Sequence, residues 1–334
     1  MIPSLKIMIV NVPADILMIH AGAIGDVICA IHGIRNLSSE RTIDICCQKH
    51  IFPILHLLPG IQKTIDIHHT SITSMFMTQQ NDELKKWLSS YAFILLFSFS
   101  QDWKTQLKKY HSVVYRIPPR PPKDQLIHVS DFINNTLISL DLLSDEKLLN
   151  NEFILQKKTK CYNNCFQSVC WIHPGSGSSF KNWSIDRFIG LAKKLRQEFH
   201  AVKLLLGPSE KKLFHFLDQH RESTDDVIQI SQLKTIIDLF DPSHHFIGND
   251  SGISHLAALL GLNVTVIFGP SDARRWKPIG SSVKAIPDVP FCPPCFEFGN
   301  RDCSHRNCLD QISVINVLEI VFNRGLNDNE HKKI

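Results

Sequence analysis

No run of about 18 consecutive apolar residues, the least that lets a helix cross a bilayer, occurs in this chain. Stretches such as Ile94–Phe97 and Leu204–Leu206 are cut short by polar residues, so no transmembrane helix is expected. The N-terminus is apolar, but Lys6 is followed by a short strand-like run, Pro13 and Asp15, with no small-residue cleavage pattern behind it. It reads as mature cytoplasmic structure. Charge is scarce as well: 20% of residues are Asp, Glu, Lys or Arg, and the formal net charge is +4. That balance lends little support to nucleic-acid binding and permits no more than a weak peripheral contact with an anionic membrane face. No repeat of solenoid period is present. Cysteine is plentiful by contrast, ten in all, and without a secretion signal these are expected to be reduced thiols.

A chain of 334 residues, 43% of them hydrophobic, can bury a full core, and its length favours two domains. Short apolar segments alternate with helical periodicity throughout, the pattern of parallel sheets with crossover helices. Ile16–Ile19, Thr42–Cys46, Phe93–Phe97 and Val113–Tyr115 read as strands of the first half. Ser168–Ile172, Ala201–Leu206, His244–Ile247 and Val264–Phe268 do so in the second. The expected organisation is an α/β chain with Rossmann-like domains at 1–155 and 165–310, joined by the polar stretch Gln156–Asn164. A C-terminal helix at 311–325, ending near Gly325, packs back toward the hinge. Prolines at 118, 119, 121 and 122 force the segment Arg116–Lys123 to be an extended surface strap.

Open parallel sheets bind ligands beyond the carboxyl ends of their strands. Five loops at such positions are rich in Gly, Ser and Asp: Ala21–Asp26, Pro174–Ser179, Gly207–Glu210, Gly248–Gly252 and Gly269–Asp272. Glycine lets a backbone approach a ligand closely, and helix N-terminal N–H groups offer donors to phosphate oxygens. Four of the five lie in the second half, which is therefore the expected nucleotide domain. A dinucleotide fold is disfavoured by spacing. Gly22-x-x-Gly25 lacks the Gly-x-Gly-x-x-Gly order, and Gly175-x-Gly177 is followed at the third glycine position by Phe180.

At these loops the chain closely resembles glycosyltransferase family 9, the lipopolysaccharide heptosyltransferases. The matching stretches are Ile16–Ile28, His173–Trp183, Gly248–Ala257 and Phe268–Asp272, in the family's order, with weaker agreement at His128–Phe132 and in the cysteine-bearing segment before the last helix. The resemblance implies a GT-B architecture, two facing doubly wound Rossmann-like domains with a C-terminal helix. It also implies inverting transfer of a heptose from ADP-heptose to a lipopolysaccharide core or related lipid-linked acceptor, without a metal or other cofactor, at the cytoplasmic face of the inner membrane. The alternatives are a GT-B transferase using another nucleotide sugar and a non-catalytic nucleotide-sugar or glycan-binding homologue.

Residue roles follow position by position. Asp26 matches the family's catalytic base, which removes the acceptor hydroxyl proton as the sugar carbon is attacked; read without the resemblance it is a helix N-cap. A helix N-terminus also lowers a carboxylate's pKa and weakens it as a base. Lys181 matches the cation that neutralises the departing diphosphate, where the plain reading is a solvated lysine. Asp250, Ser251, Gly252 and His255 are expected to contact the donor, with Ser176, Gly177 and Ser271 as further donor-side candidates. Gly25, Arg116 and Arg120 are the acceptor-side candidates, the arginines suited to an acceptor bearing acid sugars or phosphates. Cys292, Cys295, Cys303 and Cys308 have a zinc-knuckle spacing that structural thiols explain equally well; no metal is assigned to them.

Overall fold

The computed structural model describes residues 14–38, 41–76, 82–144, 155, 168–219, 227–298, 303 and 305–322. The expected linker Gln156–Asn164 and the helix end at Gly325 lie outside the described residues. Eleven strands are described: β1 Ile16–His20, β2 Ile43–Cys47, β3 Ile61–Asp66, β4 Phe93–Phe97, β5 Val114–Ile117, β6 Val169–His173, β7 Ala201–Leu206, β8 Val227–Gln229, β9 His245–Asn249, β10 Asn263–Ile267 and β11 Val283–Ile286. They form two sheets, ordered β3-β2-β1-β4-β5 and β11-β10-β9-β6-β7-β8, and the pairs in both are parallel. Central strands β1, β2 and β4 are buried along their whole length, which is why they appear in the sequence as unbroken apolar runs.

Contacts divide the described residues into two compact units. The described residues within 1–21, 37–52 and 59–118 form one, and those within 22–36, 53–58 and 119–334 form the other. The first holds the five-stranded sheet, with a core that includes Leu17, Ile19, Ile94, Leu96 and Leu107.

The second unit holds the six-stranded sheet. The chain runs outward from β6 through β7 to β8, then returns to β9 on the other side of β6 and continues to β10 and β11. The loops after β6 and β9 thus diverge from neighbouring strands, His173 opposite Gly248, and such a switch point is where an open parallel sheet leaves a crevice for a ligand. Helix Ile185–Leu195 buries Phe188, Leu191, Ala192 and Leu195. The last described helix, Val314–Phe322, packs on the same core through Val317 and Val321. Two long-range bonds anchor the turn before that helix: the indole N–H of Trp183 donates to the Ile312 carbonyl at 3.0 Å, and Arg187 Nη1 to the same oxygen at 2.7 Å. Helix Ile24–Ser38 packs against helix Val129–Ser139 so closely that a Cβ on Gly33 would lie 2.5 Å from Ile133. Ser130 Oγ also donates to the Cys29 carbonyl at 3.0 Å. Among the described residues no helix is long and apolar enough to cross a membrane.

Candidate active site

A cavity of about 270 Å³ opens at the switch point of the second unit, and every residue lining it belongs to that unit. Its walls come from the loops after β6, β9 and β10, from the start of helix Ile24–Ser38, from the proline strap and from the loop carrying Phe296 and Glu297.

The β6 and β9 loops are tied together by Asn249, whose side chain accepts from the Trp183 N–H at 2.9 Å and donates to the Pro174 carbonyl at 2.7 Å. The next residue, Asp250, is buried. Its Oδ2 accepts from Lys181 Nζ at 2.9 Å and from Ser271 Oγ at 2.6 Å. Burial alone would raise this carboxyl, but the Lys181 charge and the Ser271 hydroxyl outweigh it and hold Asp250 below the ordinary aspartate value. Lys181 also stands 5.3 Å from the centre of the Phe296 ring, within cation–π range. The lysine is therefore fixed in place, not waving in solvent.

Ser251 is the N-cap of helix Gly252–Leu259, its hydroxyl accepting from the Ser254 N–H at 3.3 Å. This helix start meets that of Ile24–Ser38. A Cβ on Gly252 would come within 2.9 Å of Ile24 Cβ and 3.1 Å of the Gly25 nitrogen, and one on Gly25 within 3.3 Å of the His255 ring. Glycine at 252 lets the two helix starts approach this closely at one cavity, with a tight fit at Gly25. His255 is buried beneath them, its Nδ1 3.8 Å from Cys29 Sγ. Burial pushes its pKa down to about 4 against the pull of Asp250, so the imidazole is neutral at physiological pH.

Asp26 is the third residue of its helix, and its Oδ2 accepts from the Ala23 N–H at 3.1 Å, reaching back over the helix start. Burial raises this carboxyl above its ordinary value. The Ala23 N–H, Arg120 and Lys181 pull it down and Asp250 adds to the rise. The weakening expected from the helix start is present, yet burial is the larger effect, and the net direction makes Asp26 a stronger base than a solvated aspartate.

Gly25, Asp26, Arg120, Gly177, Lys181, Asp250, Ser251, Gly252, His255 and Ser271 all line the cavity. Ser176 is instead engaged with its own loop, its hydroxyl 2.7 Å from the Ser178 carbonyl and 2.6 Å from Asn182 Oδ1. Arg116 belongs to the first unit, where its Nη1 donates to the carbonyls of Ser98 and Phe99, both at 3.3 Å. Ser184 stands at the N-cap of its helix, but its side chain makes no capping bond.

Lining residues that the sequence did not single out are Lys123, Arg275, Trp276, Phe296 and Glu297. The only signal for Arg275 and Trp276 was their place just after the Gly269–Asp272 loop. Nothing marked Phe296 and Glu297 beyond lying among the cysteines. Those thiols are neighbours in space, Cys292 meeting Cys308 and Cys295 meeting Cys303. Among the described residues, however, no group of three or more His, Cys, Asp or Glu side chains could hold a metal ion.

The model of glycosyltransferase family 9 (heptosyltransferase) matches residues 90–303. Lipooligosaccharide heptosyltransferase 2 of Campylobacter jejuni is 24% identical over 208 residues, which cover 58% of this chain and 62% of that relative's length. Among solved structures, the ADP-heptose lipopolysaccharide heptosyltransferase II of E. coli superposes with a TM-score of 0.69 at 16% identity, over 92% of this chain and 98% of the other. A family 9 glycosyltransferase from Veillonella parvula gives 0.72 at 16% identity over 92% and 97%. The two parallel sheets with their helices are the GT-B fold of these structures.

Proposed function

This chain belongs to glycosyltransferase family 9, and from that premise we propose that it is an inverting transferase that moves a heptose from ADP-heptose onto a lipopolysaccharide core or related lipid-linked acceptor. The observation that carries the reading is that Asp26 and the Lys181–Asp250 pair line one cavity. An inverting displacement needs a base on the face of the sugar opposite the leaving group and a cationic cradle for that group. Asp26, raised by burial, takes the proton of the attacking hydroxyl as the new bond to the sugar carbon forms. Lys181 and the N–H groups at the start of helix Gly252–Leu259 receive the negative charge that accumulates on the departing diphosphate. Ser271 holds Asp250, and Asp250 in turn holds the ammonium in position. Neutral His255 fills the floor beneath the two glycines. Donor binding is assigned to the domain spanning 165–310, the acceptor to the domain spanning 1–155, and the work to the cytoplasmic face of the inner membrane.

The nucleotide is identified by thermal shift against ADP, UDP, GDP and NAD, because a ligand that binds only the folded chain raises its melting temperature by mass action. Stabilisation by ADP above the others is the expected result. Preference for UDP or GDP points to a different donor, and stabilisation by ADP with no turnover of ADP-heptose points to a binding protein.

A further inference from the structure

Beside the cavity, one buried guanidinium does a job that neither the fold nor the proposed chemistry requires of it. Arg274 and Arg275 are adjacent, but they part company. Arg274 turns outward to pair with Asp272, with its side chain 45% exposed, whereas Arg275 is 3% exposed. Arg275 Nη1 donates to the carbonyls of Pro122, Lys123 and Gln125 at 3.0, 3.1 and 2.9 Å, and Nη2 to that of Pro121 at 3.1 Å. Its Nε lies 3.3 Å from Glu297 Oε2, an ion pair, and the other oxygen of Glu297 accepts from the Trp276 indole.

The chemistry of the strap explains the arrangement. Prolines at 118, 119, 121 and 122 remove the backbone donors from which a helix or strand would be built. Their carbonyls still need partners. A guanidinium is a planar fork with five N–H donors, so a single side chain can satisfy several such oxygens at once, which the smaller ammonium of lysine cannot do from one position. The bond to the Pro121 carbonyl fixes the residue that directly follows Arg120. Arg120 and Lys123 both line the cavity, and Arg120 acts electrostatically on Asp26.

We propose that Arg275, braced by Glu297, is a positioning residue that pins the proline strap, so that Arg120 is presented beside Asp26 to an anionic group of the acceptor, a sugar carboxylate or a phosphate. This rests on the transferase reading above. It deepens that reading by giving the acceptor a required charge next to the hydroxyl that reacts.

The test begins with wild-type turnover of ADP-heptose on heptose-deficient lipopolysaccharide; if none occurs, the transferase reading itself fails and the strap is not at issue. Given turnover, Arg275→Lys is expected to raise the acceptor KM about tenfold while ADP affinity stays within about twofold, and to speed tryptic cleavage after Lys123. Arg120→Gln should show the same acceptor defect, and the double variant should be no worse than Arg120→Gln alone, as expected when one residue acts through the other. Should Arg275→Lys not fold, Pro122→Gly slackens the strap with the guanidinium in place and should also raise the acceptor KM. Dephosphorylated and carboxyl-reduced acceptors identify the anion, since one of them should reproduce the Arg120→Gln defect. The proposal is overturned if ADP affinity falls in step with the acceptor KM, if the two arginine effects multiply, if Pro122→Gly leaves the acceptor KM unchanged, or if neither altered acceptor matters.

Discussion

The two sheets are built alike and end differently. Each is parallel, and in each the chain leaves a central strand in one direction and returns on the other side, between β1 and β4 in the first and between β6 and β9 in the second. At the switch of the first sheet the carboxyl ends carry His20 and Phe97, their rings 5.2 Å apart. Burial pushes the His20 pKa down to about 4, so this end is a neutral, aromatic plug. At the switch of the second, the strand ends carry His173 and Asn249, and the loops just beyond them bring Asp250 and Lys181 together. Topology offers a crevice in both places, and charge reaches it by different routes: the loop after β1 runs into the helix that carries Asp26, whereas the loops after β6 and β9 hold the Lys181–Asp250 pair between them. A site therefore follows from which side chains stand at the strand ends and not from the sheet.

The sharpest way to break this contrast is to remove the charged groups of the cavity and, separately, the aromatic bulk at the ends of β1 and β4. Asp26→Asn should lower turnover by about 100-fold or more, measured in single-turnover assays, with ADP affinity kept by calorimetry. The wild-type acid limb of kcat/KM should sit above the ordinary aspartate value of about 3.9, because the base acts only when ionised and burial delays its ionisation. The sign for stability is opposite to that of a salt-bridged aspartate. The folded chain holds this proton more tightly than the unfolded chain, so ionised Asp26 destabilises at neutral pH, and Asp26→Asn should melt no lower than wild type at pH 7. Next in size, Lys181→Ala should weaken ADP binding about tenfold, the loss of one charge-assisted contact, and slow transfer besides. An unchanged ADP dissociation constant counts against its role. The smallest effect belongs to the first sheet: Phe97→Leu should cost about 1–2 kcal/mol of stability in denaturant melts while ADP affinity stays at the wild-type value.

The strands that read clearly from sequence are those in which buried residues predominate. Phe93–Phe97 and Ala201–Leu206 match their strands end to end, and Ile16–Ile19 falls one residue short of its strand. Three strands went unread, and each lies at or next to a sheet edge or is very short. β3 mixes exposed Gln62 and Lys63 with half-buried residues, β8 has three residues, and β11 four. An edge strand needs neither an unbroken apolar run nor a full apolar face, so its pattern fades into that of a loop. The loops around the cavity were legible for a different reason. Gly, Ser and Asp at strand ends are dictated by turn geometry and helix starts, which are local. Arg275 shows the limit. Two identical residues stand side by side, one outside and one buried under four carbonyls contributed by residues about 150 positions away in sequence, and nothing local distinguishes them. Phe296 and Glu297 were hidden likewise, since their partners Lys181, Arg275 and Trp276 are set by tertiary placement.

The meeting of Gly25 with Gly252, and of Cys29 with His255 across 226 positions of sequence, has a consequence for how the molecule comes into being. A ribosome delivers Cys29, on the helix of Asp26, 226 positions before His255, against which that helix is seated. During the interval that helix has nothing of the second unit's loops to rest on, and the cavity does not exist. The earliest moment at which Asp26 and Lys181 share a wall is therefore after the β9 loop has emerged, and contacts of such long sequence separation are slow to close. A nascent chain stalled between the β6 and β9 loops carries Asp26 and Lys181 but not the cavity that both line.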